Sequence, residues 1–238
     1  MKASLRRLLL PLRRRIRGGP CRGMWFSLFT RQRFLRGDYE PEFAAFLAAH
    51  VEKDCVFWDV GAHFGYYTLL AARASGPGGT IHSFEPGAEN RRYLTAHVRW
   101  NALKQVTVHD CALAGEEGEA QFGGGRGPGA HRLGQGEERV AVRTLDGLVE
   151  SGVAPAPDWI KIDVQGAEAG VLEGARRTFA SHPASVACAT HSPEIHRTCV
   201  ELLSGLGYRV MDSPSTKVVL AFGPGREIPD FDVTTLDM

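Results

Sequence analysis

Two periods of apolar spacing alternate along this chain, one helical and one extended. Phe43, Phe46, Leu47 and Val51 share a helical face, so Glu40 to Val51 reads as a helix with Pro41 in its first turn. Cys55 to Val60 reads as a short buried strand, followed by a helix from Gly65 to about Ala74 that stops at Ser75-Gly76-Pro77-Gly78-Gly79. Thr80 to Glu85 is a second strand, and Ala88 to Trp100 a helix ended by Asn101, a residue suited to a left-handed turn. Gln105 to Cys111 is a third strand. Asp158 to Val164 and Ala184 to Thr190 are a fourth and a fifth. The helix after the fourth turns Val171, Leu172, Ala175 and Phe179 inward, and the helix after the fifth carries Ile195, Cys199, Leu202, Leu203 and Leu206. Tyr208 to Asp212 and Lys217 to Phe222 form a closing hairpin around Ser213-Pro214-Ser215-Thr216.

This alternation predicts an α/β fold, a doubly wound sheet that is mostly parallel with one antiparallel strand supplied by the hairpin. Ligands of such sheets lie outside the carboxyl ends of the strands, which gathers Asp59 to Gly65, Glu85, Asp110, Asp163 and His191 on one rim. Residues 114 to 136 break the alternation with nine glycines and bury little. Beside such a rim the stretch is either a substrate lid or a plain connector.

Length suits one domain with a real core, and a hydrophobic fraction of 43% with 23% charged residues is ordinary for a globular protein. The net charge of +1 hides a division. Lys2 and ten arginines, with no acid, lie in residues 1 to 37. The remaining seventeen basic residues face 27 acids, a net of −10. A basic arm (1–37) therefore precedes a catalytic-size acidic body (38–238), and that body argues against nucleic acid as partner. Leu5, Leu8, Leu9, Leu12 and Ile16 recur at helical spacing opposite arginines, with Pro11 as a kink. A basic amphipathic helix of this kind suits an anionic membrane surface, with Trp25, Phe26 and Phe29 in support, so peripheral membrane contact through residues 1–30 is one expectation. A transit peptide and a solvated or self-docking arm are the others. No apolar run reaches the ~18 residues of a span. Five cysteines without metal or redox spacing fit a reducing compartment, which makes the expected location cytoplasmic. Nine histidines form no metal motif, so no catalytic metal is expected.

The chemistry concentrates at Phe57-Trp58-Asp59-Val60-Gly61-Ala62-His63-Phe64-Gly65-Tyr66-Tyr67-Thr68, a strand running through a glycine turn into a helix. Glu85 follows Gly65 by twenty residues at the end of the next strand. A glycine turn with an acidic residue at this distance is how α/β folds hold a nucleoside, the carboxylate accepting from ribose hydroxyls. Asp59, just before the first glycine, would repel a diphosphate and suits a cation. The sulfonium, ammonium and ribose diol of S-adenosylmethionine match that set better than a dinucleotide does.

The ordered set Asp59-Val60-Gly61-Ala62, Gly65-Tyr66-Tyr67-Thr68, Phe84-Glu85-Pro86, Asn101, Val142-Arg143-Thr144-Leu145-Asp146 and Ile160-Lys161-Ile162-Asp163-Val164-Gln165-Gly166-Ala167-Glu168 resembles FkbM-family methyltransferases over about residues 38 to 222. The resemblance implies a class I methyltransferase (Rossmann-like) sheet of order 3-2-1-4-5-7-6, with an antiparallel insertion pairing Glu119–Phe122 with Arg139–Thr144. It implies S-adenosyl-L-methionine as cofactor, held by Asp59, Gly61, Ala62, Gly65 and Glu85, with Asp110 at the adenine. It also implies methyl transfer to a hydroxyl of a small molecule, sugar or glycan. His63 stands where Asn is usual, and Gln165 where Glu is usual. His191 and Asp163, ending adjacent strands, are the candidate catalytic residues: His191 as base, Asp163 as positioning group. Glu168, His63 and His131 are weaker candidates. The rival reading is a degenerate cofactor-binding domain that uses its arm to hold a membrane or an acidic partner.

Overall fold

The computed structural model describes residues 12–125, 130–213 and 217–236. A seven-stranded sheet forms the centre, in the order β12-β13-β11-β10-β3-β4-β5. Its members are β3 (Val56–Val60), β4 (Thr80–Phe84), β5 (Val106–His109), β10 (Trp159–Ile162), β11 (Ser185–Ala189), β12 (Arg209–Ser213) and β13 (Val218–Phe222). Counting only these strands, the order is 3-2-1-4-5-7-6, with β13 antiparallel to both neighbours and the remaining pairs parallel. The class I methyltransferase arrangement is therefore present.

Helices cover both faces because the strands alternate. Phe57, Ile81, Trp159 and Leu220 point to one apolar cluster, and Trp58, Phe84, Ile160 and Val219 to the other. The first is covered by α1 (Gln32–Arg36), α2 (Pro41–His50) and α3 (Tyr66–Ser75), and the second by α5 (Leu145–Glu150), α6 (Glu168–Glu173), α7 (Arg176–Ser181) and α8 (Pro193–Gly205). α4 (Ala88–Trp100) connects β4 to β5. A second sheet, β6-β9-β7-β8, holds β6 (Cys111–Leu113), β7 (Gly118–Gly123), β8 (Arg132–Leu133) and β9 (Glu138–Arg143), with β7 antiparallel to β9 as the insertion was expected to be.

Four local expectations change. The third strand divides at Asp110, β5 staying in the central sheet and β6 crossing to the small one. The helix after β10 breaks into α6 and α7 at Gly174, where a Cβ would meet the Ala114 carbonyl at 2.4 Å. Asn101 is not the left-handed residue (φ −98°); Ala102 is (φ 53°). Asn101 instead clamps the N-terminal segment, accepting from the Trp25 amide at 2.8 Å and donating to its carbonyl at 2.9 Å.

The fourth change concerns the arm. Leu5, Leu8, Leu9 and Pro11 lie outside the described residues, but the predicted helix does not continue through Ile16. β1 (Arg13–Arg15) pairs antiparallel with β2 (Trp25–Ser27), and the chain turns between them through Gly18-Gly19-Pro20 and Gly23. Ile16, Cys21, Phe26 and Phe34 are buried in the same cluster as Phe43 and Leu69, each large one contributing about 1.5–3 kcal/mol of transfer free energy. Phe26 is stacked on His97 with ring centroids 3.8 Å apart, so it is core and not a membrane-facing residue. Packing is continuous across residue 37. All five cysteines are free and buried, and burial pushes the Cys21 and Cys55 thiols up to about 12.

Candidate functional site

The turn after β3 is fastened to the end of β4. The Gly61 and Ala62 amides both donate to the Phe84 carbonyl at 3.0 Å, and the His63 amide donates to Glu85 Oε2 at 2.8 Å. Gly61 (φ 76°) and Gly65 (φ 85°) are left-handed. A Cβ on Gly61 would lie 1.9 Å from the Asp163 carbonyl, and one on Gly65 would lie 2.4 Å from Leu94 Cδ1. Both glycines thus let backbone approach the protein's own β10 and α4. Gly61 and Ala62 line the cavity described below, whereas Gly65 stands behind it.

Register places Lys161 beside Asp59 on neighbouring central strands. Both are essentially buried, with Lys161 Nζ 3.2 Å from Asp59 Oδ1 and 3.8 Å from Asp163 Oδ2. Lys161 also donates to the Gly61 carbonyl at 3.1 Å, and Asp59 Oδ2 accepts from Thr68 Oγ1 at 2.7 Å. Burial pulls the Lys161 ammonium towards neutrality, but Asp59 and Asp163 outweigh it and hold its pKa above the ordinary lysine value. The expectation for Asp59 was a cationic ligand, met directly or through backbone amides and water. Its cation is Lys161, and Asp59 does not line the cavity.

Glu85 directly follows β4 at the cavity. Its carboxylate is nearly buried and lines the cavity. Oε1 accepts from the Gly87 amide at 2.9 Å and from Asn90 Nδ2 at 3.2 Å. Burial raises its pKa to about 7, against the pull of these hydrogen bonds, the His63 amide and Lys161. Each carboxylate oxygen has two lone pairs, so Oε2, with one protein donor, retains capacity for a ligand hydroxyl.

Past β10 the chain forms a polar network. Asp163 lines the cavity and accepts at Oδ1 from Gln165 Nε2 at 3.1 Å. The same amide lies 2.7 Å from His191 Nε2, while His191 Nδ1 lies 2.7 Å from Glu168 Oε1. Glu168, fully buried at the start of α6, also accepts from the Val164 and Gly166 amides. Burial favours the neutral His191 ring, but Glu168 and Asp163 outweigh it and raise the pKa above the ordinary histidine value, with Arg132 opposing. His191 does not line the cavity; it stands behind Asp163 and Gln165, which do. Its Nε2 lies 3.5 Å from Asp163 Oδ1. Gln165 has φ 59° and His63 φ 51°, so both departures from the family pattern fall on left-handed residues. At Gln165 an amide donates to Asp163 where a carboxylate would repel it.

The cavity bordered by these groups has an empty volume of about 940 Å³, its open mouth included. Two walls come from segments whose sequence signal was ambiguous. Arg31, Phe34 and Tyr39 come from the N-terminal segment, and Phe122, His131 and Leu133 from the insertion, which is thus a cavity wall. Asp110 is exposed and outside the cavity; Cys111, Ala112 and Leu113 line it instead, because the strand break turns Asp110 outward. His63 lines the cavity with a buried Nε2 that has no protein partner, and burial lowers its pKa to about 3, so the ring is neutral. Tyr67, also on the wall, donates to Glu40, whose pKa burial raises. Lys161, Tyr39 and Arg31 went unassigned in the sequence; a lysine inside an apolar strand was the available signal. Among the described residues no group of three or more His, Cys, Asp or Glu converges as metal ligands do.

The chain is 30% identical over 148 residues to the hexuronic acid methyltransferase AglP of Haloferax volcanii, covering 60% of this chain and 59% of that protein. Among solved structures it resembles methyltransferase FkbM of Methylobacillus flagellatus KT (TM-score 0.55, 20% identity, 72% of this chain and 44% of that one). It also resembles the precorrin-6y C5,15-methyltransferase of Geobacter metallireducens GS-15 (TM-score 0.52, 14% identity, 76% and 89%). The chain thus spans less than two thirds of AglP and under half of the M. flagellatus protein. The family model for the methyltransferase FkbM domain matches residues 59–210, from the buried Asp59 to the penultimate strand of the central sheet, and the chain belongs to that family.

Proposed function

We propose that this methyltransferase uses S-adenosylmethionine to methylate a hydroxyl of a sugar or glycan. The observation that carries the reading is Glu85, a nearly buried carboxylate with remaining acceptor capacity on the wall of a cavity at the strand ends. A ribose hydroxyl supplies the donor that Oε2 can still accept. Gly61, Ala62 and His63 would border the methionine end of the cofactor, with Asp163 nearby for its positive charge, and Cys111 to Leu113 would border the adenine. The cofactor supplies a methyl group already activated on a sulfonium. What remains for the protein is mainly to orient the acceptor and exclude water.

The acceptor side of the reading rests on chemistry and on kinship. Asp163 and Gln165 offer an acceptor and an amide to a polyhydroxylated ligand, and Arg31 at the exposed rim suits an acid sugar's carboxylate. The relative's name, hexuronic acid methyltransferase, points to the same class. Asp163, held by Gln165 and His191, is the group placed to accept a hydrogen bond from the attacking hydroxyl. The retained Glu85 and the closed Asp163–Gln165–His191–Glu168 network support an active enzyme over a degenerate binding domain.

The test is incubation with methyl-labelled S-adenosylmethionine and a panel of neutral sugars, hexuronic acids and their glycosides, read by mass spectrometry. A labelled product whose methyl survives mild alkali is an ether and supports the reading. A product that releases methanol in alkali is an ester and moves the site to a carboxylate. Cofactor binding without transfer to any carbohydrate would contradict the sugar assignment.

A further inference from the structure

We propose that the chain docks on the surface of a lipid bilayer containing anionic lipids, through the β1–β2 hairpin and the exposed side of α4. The inference is independent of the acceptor's identity. Among the described residues three large apolar side chains are exposed: Leu12, Leu28 and Val153. The first two lie together, because the Leu28 amide donates to the Leu12 carbonyl at 3.0 Å where the hairpin opens. They flank Arg13, Arg14 and Arg15, all exposed. The half-buried Trp25 lies beside them, with the Arg13 and Arg15 guanidiniums 4.9 and 4.4 Å from its ring centroid.

The basic character extends onto α4. Arg13 also lies 5.3 Å from the Trp100 ring, and the hairpin is bound to this helix through Asn101 and through His97, which accepts from the Ser27 amide at 3.0 Å. Arg92, Thr95 and Arg99 follow one another at i, i+3 and i+7 on the exposed side, and with Arg91 line a shallow surface depression. Residues 1 to 37 carry no acid, and among the described residues Arg36 is the one arginine of that segment with an acidic ion-pair partner, Asp38. Elsewhere the body is acidic. Arg14 shares one side of the hairpin with the exposed leucine pair, Arg13 and Arg15 share the other with Trp25, and a ribbon edge carrying both fits a surface whose outer layer is negative and whose next layer is apolar. A highly charged nucleic acid matches the arginines but gives the leucines no partner. Docking here has a spatial consequence, since the segment that follows the hairpin supplies Arg31, Phe34 and Tyr39 to the cavity.

The test is co-sedimentation of the full chain with vesicles of phosphatidylcholine alone and of phosphatidylcholine with 30% phosphatidylglycerol. Binding is expected to the anionic vesicles only, and to weaken as salt rises from 0.05 to 0.5 M. Arg14→Glu and Arg99→Glu should each lower partitioning by at least about fivefold, the weight of one basic residue at such a surface. The pair Leu12→Ser with Leu28→Ser should lower it by about tenfold. All four side chains are exposed, so thermal melts of the variants should match the parent and confirm folding. No sedimentation of the parent at low salt would overturn the proposal. So would variants that bind as the parent does, or an RNA oligonucleotide that displaces the protein from vesicles stoichiometrically.

Discussion

Glu85 is where structure and chemistry can be separated most cleanly. In the ligand-free protein its carboxyl titrates near pH 7, because burial opposes the charge more strongly than the Gly87, Asn90 and His63 donors favour it. The folded value lies above the ordinary 4.5, so the group's contribution to stability is full below pH 4.5 and is lost as pH rises through 7. A shift from 4.5 to about 7 amounts to something on the order of 3 kcal/mol for this buried group. A bound ribose diol donates to the ionised form and offsets that loss. Affinity for S-adenosylhomocysteine should therefore rise between pH 5.5 and 8, by up to about tenfold per unit below the titration point. Glu85→Gln abolishes this dependence. Its amide gives one oxygen to donors that now share two, sets an N–H against an N–H, and lacks the charge, so affinity at pH 8 should fall by about 1.5–3 kcal/mol, roughly ten- to a hundredfold. Calorimetry across the pH series measures both quantities. His63 does not titrate in this window, and any contribution from His191 persists in the variant and subtracts out. A Glu85→Gln protein with unchanged affinity and an unchanged slope would remove Glu85 from the cofactor site.

Further outcomes follow from the same contacts. Lys161→Met should destabilise the fold by about 3–5 kcal/mol in urea melts by leaving Asp59 buried and uncompensated, and adding Asp59→Asn should recover part of the loss. Gly61→Ala, which drives a Cβ into the Asp163 carbonyl, should lower the melting temperature far more than Gly166→Ala, where φ is also positive but the space is open. His191→Gln should cost stability mainly below about pH 6.5, the deficit fading as pH rises through the raised folded pKa, and should slow turnover by up to about a hundredfold with little change in cofactor affinity. Asn101→Ala removes both bonds to Trp25 and should free the β1–β2 hairpin to proteases around Gly18–Arg22, at a cost of about 1–3 kcal/mol.

The architecture was legible because the strands announce themselves: five apolar runs, four of them followed by a helical face, leave few topologies open. Glu85 and Asp163 were legible for the same reason, since strand ends fix what lies on the rim. Asp59 and Asp110 lie off the cavity wall for different reasons. Pattern reveals that Asp59 sits at the carboxyl-terminal end of a strand but not that a lysine one strand away claims it, a fact of register between segments 102 residues apart. Asp110 turns outward because the chain changes sheets there, and Val106 to Leu113 carry no glycine or proline to signal the break. From Arg13 on, the segment that the leucine spacing runs into is a hairpin, selected by Gly18-Gly19-Pro20 and the burial of Ile16, Cys21 and Phe26. Tertiary packing overrode a local period.

The most direct test of the cofactor assignment is a crystal structure with S-adenosylhomocysteine bound. The ribose hydroxyls are expected within hydrogen-bond distance of Glu85, the adenine against Cys111 to Leu113, and the sulfur on the side of the cavity facing Asp163. Density for the ligand away from Glu85, or none at millimolar concentration with the cavity filled by ordered water, would contradict the assignment.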